Sequence, residues 1–253
     1  MRIILSPAKK MNEDLDTLEP LGIPVYLKQT ETLLSWMREQ SREELQKLWK
    51  CNDKIATLNT ERVEHMDLHE KLTPAILSYE GIAFQYMAPS VFETGQFTYV
   101  QEHLRILSAF YGVLKPMDGV TPYRLEMQAK AAIGGSRDLY DFWGSSLYDE
   151  VRDESGIFIN LASKEYAKCI EKYLTNKDTY IAVTFCEKSG GKYVTKGTYA
   201  KMARGEMVRY MAEMQIEKPE DIRKFNRLGY VFRADMSSDT EYVFERVDVR
   251  KPD

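Results

Sequence analysis

The chain has 253 residues and a formal charge of −4 (35 Lys+Arg against 39 Asp+Glu), with 43% hydrophobic and 29% charged residues. That length allows one large domain or two small ones, with a core that needs no disulfide or metal staple, and no stretch approaches the ~18 uncharged apolar residues of a membrane span. Met1–Leu5 runs straight into Ser6-Pro7, so no secretory signal is expected, and a net-acidic chain can meet phosphate only through a local concentration of charge. Cys51, Cys169 and Cys186 are too widely spaced for a disulfide framework or a CxxC motif. The expectation is a reduced, cytoplasmic globular protein without a membrane partner.

Arg2-Ile-Ile-Leu5 predicts a short buried strand, stopped by Ser6-Pro7 because proline cannot continue a central strand. From Leu27 to about Met66 the pattern is helical. Leu27, Leu34 and Met37 share a face, and Ser41-Arg-Glu-Glu44 has the form of a capping box. Phe97, Val100, Leu104, Leu107 and Tyr111 recur at spacings of three and four, predicting a helix from Gln96 that stops at Gly112. Pro122–Met127 reads as extended, with Tyr123, Leu125 and Met127 on one side and Arg124 and Glu126 on the other. Leu139–Val151 follows as a helix after Gly134-Gly135. Gly156–Leu161 is a strand, and Ser163 is placed to cap a helix from Lys164 to Leu174. Thr179–Cys186 and Lys192–Thr195 flank Ser189-Gly-Gly191 as a hairpin, Thr198–Met214 is a long helix, and Gly229–Arg233 with Glu241–Asp248 forms a last hairpin. Strands and helices do not alternate regularly, so the predicted class is α+β, one compact domain over residues 1–253 with a mixed sheet surrounded by helices.

The clearest local anomaly is Glu187–Tyr210, where Lys188, Lys192, Lys196, Lys201, Arg204 and Arg209 face only Glu187 and Glu206. On the long helix Lys201, Arg204 and Arg209 fall within an arc of about 140°, opposite Tyr199, Ala203, Met207, Tyr210 and Met214. Lys192 and Lys196 precede the helix near its positive end. This pattern suits phosphate, with Tyr193 and Tyr199 available for stacking; the plainer alternative is a solvated helix face. Ser6-Pro-Ala-Lys9-Lys10 follows the first strand, a usual place for ligand contacts. Arg124 and Glu126 read as an ion pair, or as a guanidinium held for a carboxylate or phosphate. Asp118-Gly119 reads as a turn. His65 and His69 have the i, i+4 spacing of a metal pair but lack the His-Glu-x-x-His form, and His103 has no evident partner. No P-loop, nucleophile elbow or catalytic triad is present, so no metal or cofactor is expected and the catalytic residues, if any, are not identified.

Six segments taken together carry a resemblance: Ser6-Pro-Ala-Lys9; Leu107-Ser-x-x-Tyr-Gly-Val-Leu-x-Pro116 with Asp118 and Pro122–Met127; Asp138-Leu-Tyr-x-Phe-Trp143; Asn160-Leu-Ala-Ser163 with Glu165-Tyr166; Tyr199-Ala-Lys-x-Ala-Arg-Gly-x-Met207; and Phe225-Asn-x-x-Gly-Tyr230. In this order they resemble the YaaA family of bacterial peroxide-stress proteins, over nearly the whole chain. The resemblance implies a cytosolic protein that limits unincorporated iron and the DNA damage it promotes, and that binds DNA through a positively charged cleft. By position the cleft would draw on Lys9, Arg124, Lys201, Arg204 and Arg209, and a helix-hairpin-helix-like element would match Leu104–Met117, with Gly112, Val113 and Leu114 as the hairpin. Lys10 and Glu206 depart from the family pattern. The partner expected is duplex or branched DNA without sequence preference. The alternative is an enzyme acting on a nucleobase, nucleotide or small phosphorylated ligand in a pocket that includes Ser6, Lys9, Arg124, Glu126, Asn160 and Ser163.

Overall fold

The computed structural model describes residues 1–247. Eight strands form its main sheet: β1 (Arg2–Leu5), β2 (Leu104–Ser108), β3 (Gly112–Leu114), β4 (Ile157–Asn160), β5 (Thr179–Ser189), β6 (Lys192–Val194), β7 (Tyr230–Phe232) and β8 (Glu241–Arg246). The order is β7-β8-β5-β4-β1-β2-β3, with β6 paired to the far end of β5. β8, β5, β4, β1 and β2 run parallel, while β7, β6 and β3 are antiparallel to their partners. The sheet is therefore mixed, as predicted, and the fold is α+β. β1 lies at its centre with Ile3 and Ile4 wholly buried, because a strand hydrogen-bonded on both edges and covered on both faces has no solvent side.

Around the sheet lie α1 (Leu27–Arg38), α2 (Arg42–Trp49), α3 (Asp53–His65), α4 (Ile82–Met87), α5 (Thr94–His103), α6 (Leu139–Trp143), α7 (Ser146–Val151), α8 (Lys164–Glu171) and α9 (Gly197–Glu213). Leu27, Leu34 and Met37 form the buried face of α1. The Ser41 capping box closes as the sequence predicts, with Glu44 N donating to Ser41 Oγ (3.3 Å) and Ser41 N to Glu44 Oε2 (2.8 Å). The predicted helix over 139–151 is instead two helices, broken at Gly144 with φ of +52°. The last hairpin forms between β7 and β8; its predicted end, Asp248, lies outside the described residues.

The main correction concerns residues 104–114. The helix that begins at Thr94 ends at His103, and Leu104–Ser108 is the buried strand β2, paired to β1. A strand covered on both faces is apolar without a period of two, so its residues coincided with a helical spacing. Gly112, Val113 and Leu114 form β3, all buried. Gly112 has φ of +78°, and a Cβ there would lie 2.8 Å from the Trp143 ring. Leu104–Met117 is thus centred on a buried β-hairpin rather than a helix-hairpin-helix-like element, and Gly112–Leu114 offers no backbone to a phosphate.

α9 crosses α4 with unusual closeness. A Cβ on Gly205 would lie 1.8 Å from the Ala83 carbonyl oxygen, so only glycine allows the two backbones to meet. Gly205→Ala is expected to destabilise the protein by about 2–3 kcal/mol in urea unfolding. Gly95→Ala, at a helical position where a Cβ meets nothing within 4 Å, should change stability by less than about 1 kcal/mol. Equal effects of the two would contradict this packing.

Candidate functional site

In a parallel sheet, a crevice opens where successive connections leave in opposite directions. Here that point is the carboxyl end of β1, with β2 on one side and β4 on the other. The Ser6–Lys10 loop emerges there. Ser6 Oγ accepts from Ser163 N (2.8 Å) and donates to Ser163 Oγ (3.1 Å), latching the loop after β1 to the loop after β4. Ser163 occupies the predicted N-cap position of α8, but its side chain makes no cap bond. Asn160 ends β4, three residues before Ser163; it is buried, and its Oδ1 accepts from Ala162 N (2.8 Å).

The extended segment predicted over 122–127 runs past the same loop. Glu126 holds two cations at once: Oε2 is 2.7 Å from Lys9 Nζ and Oε1 is 3.0 Å from Arg124 Nη2. Arg124 is the more enclosed of the two, and its Nε is buried without a hydrogen-bond partner. Lys9 is largely exposed rather than buried as a general base would require. One step on, Gln128 N donates to Glu165 Oε1 (3.1 Å). The polar residues of the small-pocket alternative are therefore gathered at one sheet edge.

Beneath them is a set of hydroxyls that sequence reasoning missed. Tyr123 OH meets Ser108 Oγ (2.7 Å), at the end of β2, and Tyr79 OH (2.9 Å). Burial pushes Tyr123 up to about 12, and Tyr79 and Tyr166 well above the usual phenol range, so at neutral pH all three are protonated hydroxyls. The available signal was Tyr123 on the apolar side of an alternating segment, since a buried phenol needs a partner for its O–H.

The basic stretch forms a second part of this edge. β5 is eleven residues long against four for β4, and its far end carries β6 as an arm. Lys188 and Lys192 are exposed on that arm, and so are Tyr193 and Val194 at 42% and 37%. Its base is pinned by charge: Lys196 Nζ lies 2.5 Å from Glu187 Oε1, and the Arg246 guanidinium stacks 4.1 Å above the Tyr199 ring. The α9 cations do not form the single free face that their spacing predicts. Lys201 is exposed. Arg204 is mostly enclosed, its Nε unpartnered and its pKa drawn down by burial. Arg209 pairs with Glu213 (2.7 Å), which Arg227 also joins. Met214, expected in the core, is exposed because it sits past the last helical turn. The α4–α9 crossing nevertheless adjoins the Ser6–Lys10 loop, since a Cβ on Gly81, just before α4, would lie 2.8 Å from Ala8 Cβ. The two family departures are each paired, Lys10 with Glu80 (2.7 Å) and Glu206 with Arg227 (2.9 Å).

The remaining histidines go elsewhere. α3 ends at His65, so His69 falls outside the helical register a metal pair needs, and among the described residues no group of three or more His, Cys, Asp and Glu converges. His103 finds partners that the sequence did not reveal, Met1 O (3.0 Å) and Glu217 Oε1 (3.3 Å). Asp118 makes the expected turn, accepting from Lys115 N (2.8 Å), and burial pushes its carboxyl up to about 6. An acid raised on folding supports the fold while protonated, so its contribution is full below about pH 4 and is lost as pH rises through 6. Asp118→Asn should therefore gain stability over the parent between pH 4 and 7, by up to about 3 kcal/mol at 1.36 kcal/mol per pKa unit. Urea unfolding across that range checks it; a difference independent of pH would contradict it.

The fold is that of a mixed-sheet α+β protein, with polar and cationic side chains gathered at the switch point of its parallel strands. The family described as peroxide stress protein YaaA matches residues 1–236, and the chain belongs to that family. Among its relatives, a UPF0246 protein of Agathobacter rectalis is 69% identical over 97% of this chain and 99% of the relative. UPF0246 proteins of Lachnoclostridium phytofermentans and Desulfitobacterium hafniense are 54% and 52% identical, over 96% and 99% of this chain and 96% and 100% of the relatives. No helix among the described residues is long and apolar enough to cross a membrane.

Proposed function

We propose that this member of the peroxide-stress family binds DNA without sequence preference through the carboxyl edge of its parallel sheet, and thereby limits iron-driven oxidative damage to DNA in the cytoplasm. The observation that carries the reading is the β5–β6 arm, which exposes Lys188 and Lys192 beside Tyr193, whose ring is exposed while its hydroxyl accepts from Arg233 Nη1 (3.3 Å). A basic ribbon with an aromatic side chain meets phosphates by charge and bases by stacking. Lys196 and Lys201 extend the track toward α9, with Lys9 and Arg124 held by Glu126 at the same edge; Arg204, enclosed, and Arg209, paired with Glu213 further along α9, contribute less. Protection by occupying DNA requires no metal ligand in this chain.

A second reading, a small phosphorylated ligand or nucleotide held and transformed at Lys9 and Arg124, is favoured by the buried, unpartnered Arg124 Nε at the switch point. Titration against duplex, single-stranded and branched DNA at several salt concentrations tests both. Each phosphate neutralised contributes roughly −0.9 to the slope of log K against log salt, so Lys188→Glu/Lys192→Glu/Lys201→Glu should flatten the slope by about 2–3. An unchanged slope removes the arm from the site. Nucleoside monophosphate binding that survives those reversals but is lost in Arg124→Gln is what the second reading expects.

A further inference from the structure

At the opposite edge of the sheet, where β1 and β2 begin, a separate cavity of about 680 Å³ opens against α5 and the loop that precedes α1. Its walls are of two kinds. Leu21, Phe97 and Met117 line an apolar side, while Arg2, Arg105 and Lys115 bring three cations against the carboxylate of Glu102. The loop that carries Leu21 is held in place: Leu21 N donates to Met117 O (2.9 Å), Gly119 N to Gly22 O (2.9 Å) and Met117 N to Gln101 Oε1 (3.0 Å). The 73% exposure of Leu21 is thus imposed by a fixed backbone.

Arg105 is the unusual group. Only 5% of it is accessible, yet its guanidinium forms no direct ion pair among the described residues, Glu150, Asp118 and Asp153 acting on it only through space. Nη1 donates to the carbonyls of Gln101 (3.1 Å) and Leu104 (2.7 Å), and Nε is enclosed without a partner. Arg2 differs, since it is ion-paired with Asp153 (Nε to Oδ2 3.4 Å) and its Nη1 donates to the Glu102 carbonyl, although its Nε is enclosed and makes no hydrogen bond. Burial, and then the charge of Arg2, draw the Arg105 pKa down to about 10. A buried charge is strongly unfavourable until a counterion reaches it, and a guanidinium fork receives a planar carboxylate through two parallel hydrogen bonds.

We infer that this cavity binds a small carboxylic acid with an apolar body, the carboxylate received by Arg105 between Arg2 and Lys115 and the body laid against Leu21, Phe97 and Met117. The cavity lies within the usual size range of small-molecule sites, and its mix of apolar wall and few convergent polar groups is theirs as well. It shares no residue with the carboxyl-edge site, so its fate is independent of the DNA reading.

Octanoate is the probe, titrated into the full chain by calorimetry and followed by amide chemical shifts. A Kd at or below about 1 mM is expected, with acetate and octan-1-ol each weaker by about tenfold or more, because each lacks one half of the recognition. Octyl phosphate binding more tightly than octanoate would overturn the carboxylate assignment in favour of a phosphomonoester. Arg105→Met should abolish binding. Because that position is buried, the exposed Lys115→Glu and Leu21→Asp carry the test, each expected to weaken octanoate about tenfold at temperatures where urea unfolding shows the variant to be folded. Undiminished binding in both, or no binding by the parent at about ten times the expected Kd, would overturn the inference.

Discussion

The contacts of the Ser6–Lys10 loop depend on β1 being hydrogen-bonded on both sides by parallel partners that follow it in the chain and lie in opposite directions. β2 takes one flank through Ile3, Ile4 and Leu5, and β4 takes the other through Arg2, Ile3 and Ile4. The chain that leaves Leu5 has no neighbouring connection on its own side to cover it, so Ser6 and Lys9 stand at a gap. The Ser6–Ser163 bonds then set the distance between the two loops that border it. Two buried isoleucines far below the surface thereby determine which polar side chains meet.

Electrostatics decides which of the gathered cations can act on a ligand. Glu126 and Glu187, both partly or wholly buried, hold Lys9, Arg124 and Lys196 within the protein's own ion pairs. A buried carboxylate is tolerable only when paired, so these cations first satisfy the fold. Lys188, Lys192 and Lys201 carry no such obligation, being exposed, and three exposed charges on an acidic chain form a local field that salt screens over about 10 Å. The edge thus divides into a neutralised floor and an exposed, charged rim. At the other edge the arrangement differs, since the enclosed Arg105 guanidinium donates to backbone carbonyls and forms no direct ion pair among the described residues.

Much of the architecture was legible from local pattern. The strand at residue 2, the Ser41 capping box, both terminal hairpins and the long helix after Lys196 follow from turn chemistry and periodicity, which act over a few residues. Residues 104–114 were not legible, because a strand buried on both faces offers no alternation and Leu104, Leu107 and Tyr111 mimic a helical face. The site was half legible. The Arg124–Glu126 pair follows from alternation, but Lys9 joining it spans more than a hundred residues, and no local rule reports such a contact. The cationic face of α9 failed for a related reason: spacing shows which residues share an arc, while Arg209 is claimed by Glu213 and Arg204 is enclosed by tertiary packing.

The central claim is that the carboxyl edge of the parallel strands is the working surface. Hydrogen–deuterium exchange of the full chain, with and without a saturating short DNA duplex, tests it most directly. The account predicts slowed exchange in residues 187–201 and in the loop of residues 6–10, with α1–α3 unchanged. Protection confined to α1–α3, or no protection at saturation, would contradict it.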